Sequence, residues 1–235
     1  MKKKKIVFLT GAGMSVESGL ETFRDADGLW AKYRIEDVCT PEALRRNPDL
    51  VREFYNMRRE EIAKVKPNGG HLAIAALEEE YDVVVVTQNI DDLHERAGST
   101  QIVHLHGEAM KCASLSDPHT PLPLPEGRLA LTAEDVDARG LPLRPFVVFF
   151  GESVPMLDEG IRHVSEADIF VIVGTSLNVY PAAGLIHYAK PDTPIFLIDP
   201  KEVAMSGLEF THFRCGSSEG MQLLTAKLEQ LKQHS

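Results

Sequence analysis

The sequence has little cysteine, and its cysteines are not spaced for cross-linking. Cys39, Cys112 and Cys215 are the three in 235 residues, and no two of them form a CxxC pair. An odd and sparse set argues against a disulfide framework and fits a reducing cytosol. We therefore expect a cytoplasmic protein that is stabilised by a hydrophobic core.

Long apolar runs and an excess of positive charge are also missing. No stretch approaches the ~20 apolar residues that a membrane helix needs. Lysine and arginine total 25 against 35 acidic residues, a formal charge of -10, so phosphate neutralisation offers little for nucleic-acid binding. The lysines at positions 2–5 directly precede an apolar strand pattern, and we interpret them as the solvent-exposed start of that strand. We expect a monomer that binds basic peptides, and neither nucleic acid nor a membrane.

The chain does have strand and helix patterns in alternation. Most of its apolar, β-branched runs lack polar alternation, as in strands buried on both faces of a parallel sheet. They lie at residues 6–10, 83–87, 102–105, 146–150, 169–173 and 195–198. Helical periodicity marks residues 42–65, 70–80 and 218–231. This order predicts an α/β fold, a Rossmann-like doubly wound parallel sheet with a smaller inserted domain.

Residues 109–143 interrupt this alternation. The segment contains seven Pro or Gly residues, including the run Pro-Leu-Pro-Leu-Pro at 121–125. Proline lacks a backbone N–H, so we expect most of the segment to form no regular ladders. It reads as a surface module inserted between two strands.

A glycine-containing turn follows the first predicted strand. Gly11 and Gly13 allow a sharp turn and close approach to a diphosphate, and a helix start behind them would supply backbone N–H groups. Two glycines after a strand are a weak signal, and a plain strand-to-helix turn explains them as well. Phe23 and Arg24 then place an aromatic ring and a cation where an ordinary dinucleotide fold would continue its helix.

Five motifs in order make the pattern specific. Residues 11–24, GAGMSVESGLETFR, resemble the sirtuin opening GAGxSxxSGIPxFR. Further matches are TQNID at 87–91, LHG at 105–107, FGE at 150–152 and GTSLNVYPA at 174–182. The chain thus resembles the sirtuins over nearly its whole length, from residue 11 to about 216.

The resemblance implies one sirtuin catalytic unit over residues 1–235. Its large Rossmann-like domain would comprise residues 1–27, 72–108 and 144–235. Its small domain would be built from a helical insertion at 28–71 and the proline-rich segment at 109–143.

The resemblance also implies a reaction. In this family NAD+ is a co-substrate that is cleaved at its glycosidic bond, and the acyl group of a modified lysine moves to the ADP-ribose. The products are free lysine, nicotinamide and an O-acyl-ADP-ribose. His106 would be the general base, since a histidine pKa of ~6.5 suits proton removal near neutrality. Asn89 would act with it in catalysis.

The family pattern assigns the remaining NAD+ contacts residue by residue. They are Gly11, Ala12, Gly13, Ser15, Thr22, Phe23, Arg24, Gln88, Asn89, Asp91, Gly174, Thr175, Ser176, Asn178, Asp199 and Cys215. Other interpretations stay open at this point. Asn89 and Asp91 are also typical of a helix N-cap, Phe23 of core packing, and Asp199 of a turn after a strand.

A tyrosine and an arginine predict the acyl group. Tyr55 and Arg58, three residues apart, share a helix face, and a guanidinium beside a phenol binds carboxylates well. In sirtuins of class III such a pair reads succinyl- or malonyl-lysine. The alternative is that Arg58 merely pairs with Glu61. Cys39 stands where this class usually has alanine, so we expect altered tightness and persistent deacetylation.

The same resemblance places the acyl-lysine peptide. The implied substrate contacts, besides Tyr55 and Arg58, are Val148, Phe149, Gly151, Glu152 and Val179.

One feature of the family is missing. Typical sirtuins bind a structural zinc with two CxxC pairs. Cys112 stands at the first expected position, but Leu115 replaces its partner and the second pair is absent. We expect no zinc and a mobile small domain held by packing and proline stiffness, although a residual site of Cys112, Asp117 and His119 stays open.

Two other functions compete with deacylation. An NAD-dependent dehydrogenase would carry an acidic ribose ligand about 20 residues after the glycine turn, where this chain has Gly28-Leu29-Trp30. A module that binds NAD or ADP-ribose without turnover, or an ADP-ribosyltransferase, would not need His106, Asn89 and Asp91 together.

Overall fold

The computed structural model describes residues 3–22, 33–203 and 207–233, and these contain two sheets. The strands, in chain order, are β1 (Lys5–Thr10), β2 (Asp82–Thr87), β3 (Ile102–His104), β4 (Gly107–Ser114), β5 (Asp117–Pro123), β6 (Leu143–Val147), β7 (Ile169–Val173), β8 (Ile195–Ile198) and β9 (Thr211–Phe213). The larger sheet is parallel throughout, in the order β3-β2-β1-β7-β8-β9. The smaller is antiparallel, in the order β5-β4-β6.

The same described residues also form seven α-helices and three 3₁₀ helices. The α-helices are α1 (Ile35–Val38), α2 (Pro41–Arg46), α3 (Pro48–Lys64), α4 (Gly69–Ala76), α5 (Leu93–Ala97), α6 (Leu157–Glu166) and α7 (Ser217–Gln233). The 3₁₀ helices are Ala12–Ser18, Leu77–Glu79 and Ala182–Tyr188. Among the described residues, no helix combines the length and the apolarity needed to cross a membrane.

The parallel sheet confirms the predicted Rossmann-like fold. With the small sheet set aside, its strands follow the order 3-2-1-4-5-6 that is typical of dinucleotide-binding sheets. Alternate residues of β1 enter two separate cores, Ile6 and Phe8 on one face and Val7 and Leu9 on the other. Helices α4 and α7 cover the first face, and α6 with the 3₁₀ helix Ala182–Tyr188 covers the second. The sheet is therefore doubly wound and buried on both faces.

The helix predicted over residues 42–65 is interrupted. Asn47 ends α2 and caps α3, because its side chain accepts a hydrogen bond from Leu50 N at 3.2 Å. Pro48 occupies the first turn of α3, where a missing N–H costs nothing. The other two predicted helices, at 70–80 and 218–231, lie where expected.

Most of residues 109–143 lies outside regular ladders, as expected, but β4 and β5 form an antiparallel hairpin at the start of the segment. The prolines are tolerated because β5 is the edge strand of the small sheet, where N–H groups can be missing. One strand prediction was wrong. The run at 146–150 overlaps β6, and β6 belongs to this small sheet and not to the parallel one. Strand β9 is short and was not predicted.

A buried arginine anchors the loop that follows β5. The Arg59 side chain is fully buried, and its guanidinium donates to Leu129 O at 2.5 Å, to Ala109 O at 3.3 Å and to Asn56 Oδ1. Asn56 in turn exchanges two 2.9 Å hydrogen bonds with the backbone of Leu131. Burial lowers the pKa of Arg59 to about 10, so the group stays charged at neutral pH. The loop is thus held to α3 by satisfied backbone carbonyls.

Cys112 lies inside the small sheet. Its buried thiol donates to Pro123 O at 3.1 Å, across the β4–β5 hairpin. Asp117 and His119, the other members of the conceivable residual metal site, are exposed.

Two buried histidines lie under the glycine turn. His71 and His94 have ring centroids 4.8 Å apart, and both side chains are fully buried. His71 Nδ1 accepts from the N–H of Asn68, the N-cap of α4, and His94 Nε2 lies 3.2 Å from Thr10 Oγ1. Burial lowers the pKa of His71 to about 4 and lowers that of His94 well below its usual value.

We predict that Arg59→Met lowers the free energy of unfolding by about 2–3 kcal/mol, because Leu129 O and Ala109 O lose a charged donor. Urea titration followed by circular dichroism measures the change. Arg45→Met is the control, since Arg45 pairs with Glu42 on the surface and its loss should cost under about 0.5 kcal/mol. A change in Arg59→Met no larger than that in Arg45→Met would contradict the anchoring role of Arg59.

We also predict that the protein loses stability as pH falls below about 6.5. A histidine with a lowered folded-state pKa binds fewer protons than the unfolded chain does, so stability is complete above the unfolded pKa and declines below it. For His71 alone the loss between pH 7.5 and pH 5 is about 2 kcal/mol.

Urea unfolding at each pH checks this second prediction. His71→Gln should flatten the slope, since a glutamine at the third helical position can also accept from the N-cap N–H but does not titrate in this range. His119→Gln, at an exposed position, should leave the slope unchanged. An equal slope in the wild type and in His71→Gln would contradict the assignment.

Candidate active site

A cavity of about 660 Å³ opens at the carboxyl edge of the parallel sheet. Its wall is built by the segments that follow β1, β2, β3, β7, β8 and β9, together with the turn after β6, Cys39 between α1 and α2, and Tyr55 of α3. This edge includes the point between β1 and β7 where the strand order reverses, the usual ligand position in open α/β sheets. The volume is in the range of small-molecule and cofactor sites.

Many residues predicted for NAD+ line this cavity. They are Gly11, Ala12, Gly13, Thr22, Gln88, Asn89, Gly174, Thr175, Ser176, Asn178, Asp199 and Cys215. Ser15 and Asp91 lie behind the wall, in a smaller cavity that also borders Ala12 and Asn89. Phe23 and Arg24 lie outside the described residues.

The two glycines of the first turn allow close backbone contact between loops. Gly11 N donates to Val173 O at 3.0 Å, and Gly13 N donates to Gly174 O at 2.8 Å. A Cβ on Gly13 would lie 2.7 Å from Gly174 Cα, closer than real Cβ atoms approach. Gly174 has φ +61, and a Cβ on Gly174 would clash with Met14 N. The N–H groups of Gly11 and Gly13 are thus used to hold the turn against the end of β7 and the loop that follows it.

Asn89 and Asp91, for which the sequence left both helix capping and ligand binding open, have different hydrogen-bond partners. Asp91 accepts from Leu93 N at 3.1 Å, at the start of α5, and from Ser15 Oγ at 2.9 Å. Asn89 lines the cavity, and its amide donates to Gly11 O at 3.0 Å and to Ser15 Oγ at 3.3 Å. Asp91 therefore holds the turn into α5, whose N-cap residue is Asp92, while Asn89 joins the loop after β2 to the glycine turn.

His106 lies on the cavity wall just beyond β3. Its Nδ1 is 3.0 Å from Gln88 O, and a carbonyl can only accept, so the neutral ring carries its proton on Nδ1. Nε2 is then left with a lone pair. Burial lowers the pKa of His106, although the Gln88 carbonyl opposes this. The imidazole is thus a neutral base at physiological pH.

Gly107 explains how the chain turns at this point. Its φ is +78, and a Cβ there would lie 2.3 Å from Phe146 O. Glycine is required because β4 leaves toward the small sheet immediately after His106.

The opposite wall is polar and carries hydroxyl and amide groups. Gln88 Nε2 donates to Thr175 Oγ1 at 3.1 Å, and Thr175 Oγ1 also accepts from Leu177 N at 3.2 Å. Asp199 is buried and accepts from Lys201 N at 2.8 Å, as in the turn that was the alternative interpretation. The Cys215 N–H donates to Phe213 O at 3.0 Å.

The other end of the cavity is apolar, with one phenol. Tyr55, Phe149 and Cys39 line it, and Tyr55 OH is 3.2 Å from Cys39 Sγ. Burial raises the pKa of Tyr55 well above its usual value, and the neighbouring Cys39 adds to this effect. The phenol therefore stays protonated and can donate a hydrogen bond.

Arg58 is turned away from the main cavity. It is 4% exposed, it forms an ion pair with Glu61, and it lines the small cavity behind Asn89 and Ile90. The pairing with Glu61 is the alternative that the sequence left open. Tyr55 and Arg58 are nevertheless on adjacent turns of α3, three residues apart.

Glu152 has a structural partner. Arg144 binds its carboxylate with two nitrogens, at 2.7 and 3.0 Å, and Phe149 N donates to it at 2.7 Å. The Arg144 guanidinium also lies 4.2 Å from the Phe149 ring centroid. Glu152 thus fixes the turn after β6. Val148, Gly151 and Val179, also predicted to contact substrate, line the cavity.

Glu17 lines the cavity and was not predicted as a site residue. Its carboxylate accepts from Ser217 Oγ at 3.1 Å and from Ser218 N at 3.0 Å, at the start of α7. Burial raises the pKa of Glu17, but the hydrogen bonds from Ser218 and Ser217 outweigh it and the net shift is downward. The partners are 200 residues apart, so no local pattern reveals the contact.

These features suit a bound dinucleotide. The tight glycine contacts shape one cradle from two loops, and the wall offers hydroxyl, amide and carboxylate groups along its length. A neutral imidazole base, His106, lines the same cavity.

Known proteins resemble this chain throughout. The Sir2 family profile matches residues 11–181. An NAD-dependent protein deacylase of Bacteroides thetaiotaomicron is 52% identical over 229 residues, which cover 94% of this chain and 96% of that protein. A solved Sir2 homologue, a variant in complex with ADP-ribose, is 36% identical, with a TM-score of 0.89 over 99% of this chain and 95% of its own. A solved Sir2 with a p53 peptide and NAD+ is 27% identical, with a TM-score of 0.77 over 96% and 93%.

We predict that Gly13→Ala weakens NAD+ binding at least tenfold, because the added Cβ forces the loops after β1 and β7 apart. Isothermal titration with NAD+ measures the affinity. Gly184→Ala is the control, since its Cβ would have ordinary contact at 3.9 Å with Tyr180. Unchanged affinity in Gly13→Ala would contradict the role of this contact.

Proposed function

The chain belongs to the Sir2 family and is an NAD+-dependent protein deacylase, and on that premise we propose that it prefers lysine acyl groups that end in a carboxylate, such as succinyl and malonyl. Acetyl-lysine would be a second substrate. The observation that carries the proposal is the Tyr55 phenol on the cavity wall, with Arg58 three residues further along the same helix.

The base chemistry follows from the geometry of His106. Its Nδ1–H is held by the Gln88 carbonyl, so Nε2 accepts the proton from a ribose hydroxyl. NAD+, when bound, supplies a ribose carbon that becomes electrophilic as nicotinamide departs. Phe149 and Val147 line the cavity beside His106 and limit the access of water to it.

Residues from four loops would hold the dinucleotide. Gly13 and Gly174 shape the cradle, Gln88 and Thr175 hydrogen-bond to each other in its wall, and Asp199, after β8, also lines the cavity. Asn89, fixed to Gly11 and Ser15, would orient the ribose. The Sir2 structure with a bound p53 peptide and NAD+ supports an acyl-lysine peptide as the second substrate.

The recognition of a substrate carboxylate requires Arg58 to exchange partners. Glu61 is 41% exposed in its side chain, so its release from Arg58 into water costs little. Arg58 itself is almost fully buried, and a buried cation needs a paired anion. A succinyl carboxylate that reaches Tyr55 could replace Glu61 in this role, with the phenol as a second donor.

The size of the receptor is set by its neighbours. Cys39 Sγ lies against the Tyr55 hydroxyl, and Phe149 stacks on the Tyr55 ring with centroids 5.9 Å apart. Sulfur fills more space than the methyl group usual at position 39 would. The acyl end is therefore short, which suits malonyl and succinyl chains.

An acyl panel at fixed peptide sequence tests the function. Acetyl-, malonyl-, succinyl- and glutaryl-lysine peptides are incubated with NAD+, and nicotinamide and the O-acyl-ADP-ribose are quantified by mass spectrometry. The highest kcat/KM is expected for succinyl or malonyl. A protein that binds NAD+ but releases no nicotinamide would instead be a binding module, and ADP-ribose on the protein would indicate a transferase.

We predict that Arg58→Met lowers kcat/KM for desuccinylation about 10- to 100-fold and leaves deacetylation within twofold, because a charged hydrogen bond contributes about 1.5–3 kcal/mol. Glu61→Gln is the matched variant. It removes the competing anion, so desuccinylation should be retained or increased. If Arg58 served only the ion pair, both variants would affect both activities alike, and the carboxylate receptor would be refuted.

A further inference from the structure

Two histidines at the end of β3 hold successive residues of the loop after β2. His106 Nδ1 is 3.0 Å from Gln88 O, and His104 Nδ1 is 3.2 Å from Asn89 O. Histidines two residues apart on a strand thus fix two neighbouring carbonyls. His106 acts at the cavity, but His104 does not line it and has no role in the chemistry described above.

The other ring nitrogen of His104 meets a carboxylate. His104 Nε2 is 2.6 Å from Glu95 Oε1, on α5. Both partners of His104, the Asn89 carbonyl and the Glu95 carboxylate, are acceptors without a proton to give. A neutral imidazole has one N–H and can satisfy one of them, whereas an imidazolium satisfies both.

We propose that His104 is a positioning residue that acts as an imidazolium, with Glu95 as its counter-ion, and that it holds the Asn89 segment in the geometry that NAD+ requires. His104 touches neither cofactor nor substrate and works through Asn89. The inference rests on the use of NAD+ and not on the acyl preference.

The connection from His104 to the cavity is short. Asn89 O receives His104, and the Asn89 side chain donates to Gly11 O and to Ser15 Oγ. One residue therefore joins the ion pair to the glycine turn. If the Asn89 carbonyl is released, the Asn89 side chain loses its fixed backbone and the cavity wall loosens.

The charges around His104 agree with a charged ring. Burial lowers the pKa of His104, but the hydrogen bond and charge of Glu95 outweigh it, with further contributions from Glu108 and the Asn89 carbonyl, and the net shift is upward. Asp91 also faces it; burial raises the pKa of that carboxyl, and the hydrogen bonds from Ser15 and Leu93 and the charge of His104 only partly oppose this.

One cation, Lys111, and a second histidine, His94, lie in the same neighbourhood. Lys111 forms an ion pair with Glu108 at 2.8 Å, which moderates the effect of Glu108 on His104. His94, on α5, is buried and its pKa is lowered, so it is neutral beside His104. Glu95 therefore remains the main electrostatic partner of His104.

The two histidines then give opposite pH limits. Burial lowers the pKa of His106, and His106 can accept a proton when the pH is above that pKa. The pKa of His104 is raised, and the hold on Asn89 persists below it. Above that pKa, Glu95 retains Nε2–H and the bare Nδ1 faces the Asn89 oxygen. Affinity for NAD+ should therefore fall on the alkaline side.

The test compares NAD+ affinity and deacetylation from pH 6 to pH 9. In the wild type, the NAD+ Kd and the KM should rise about tenfold at alkaline pH, from the loss of one hydrogen bond, with kcat changing less. In Glu95→Gln the amide donates to Nε2, so neutral His104 keeps Nδ1–H on Asn89, and the alkaline rise should shrink below twofold. His104→Asn introduces a donor that does not titrate, so this variant should also lack the alkaline rise in the NAD+ Kd.

Glu159→Gln is the matched control, because Glu159 forms the same kind of pair with His163 on α6, at 3.0 Å. It should keep the wild-type alkaline rise. An equal rise in Glu95→Gln and in the wild type, or no rise in the wild type, overturns the proposal.

A direct measurement needs no variant. The ring ¹⁵N shifts of His104 in the wild-type protein should report two protonated nitrogens at pH 7.5, and a neutral ring there overturns the inference. Because NAD+ binding and deacetylation are the readouts, failure of the succinyl preference would leave this result unaffected, and the reverse also holds.

Discussion

The contact between the loops after β1 and β7 is the constraint on which the site depends. These strands are neighbours at the point where the sheet order reverses, and their loops touch through Gly13 N and Gly174 O. The loop after β2 is hydrogen-bonded to both neighbours. Gln88 N donates to Thr10 O at the end of β1, and Gln88 Nε2 donates to Thr175 Oγ1 in the loop after β7. Three loops thus form one rigid wall, and His106 is aligned by its bond to Gln88 O.

Much of the fold could be predicted, because buried parallel strands have a simple signature. The runs at 169–173 and 195–198 match β7 and β8 residue for residue. The errors lie where context overrides composition. Prolines in β5 are tolerated at a sheet edge, and whether a strand lies at an edge is not visible in its own sequence. Pro48 divided a helix that periodicity alone joined.

The site was predicted by residue identity more than by role. Ordered motifs placed Gln88, Asn89 and His106 in one cavity, where the structure also has them. The role of each carboxylate depends on partners that lie on other elements of the fold. Asp91 binds Ser15, 76 residues distant, and Glu152 binds Arg144 across a turn. Such pairings are set by tertiary packing, which a spacing pattern does not encode.

The carboxylate of Glu17 joins the first crossover of the chain to the start of α7, 200 residues later. During synthesis, the glycine turn emerges early but lacks this partner until residues 217–218 leave the ribosome. The first turn therefore cannot reach its final form by local folding. Contacts of such long sequence separation slow folding, because the loop must close before they form. The nucleotide cradle is thus among the last features of the nascent protein to be completed.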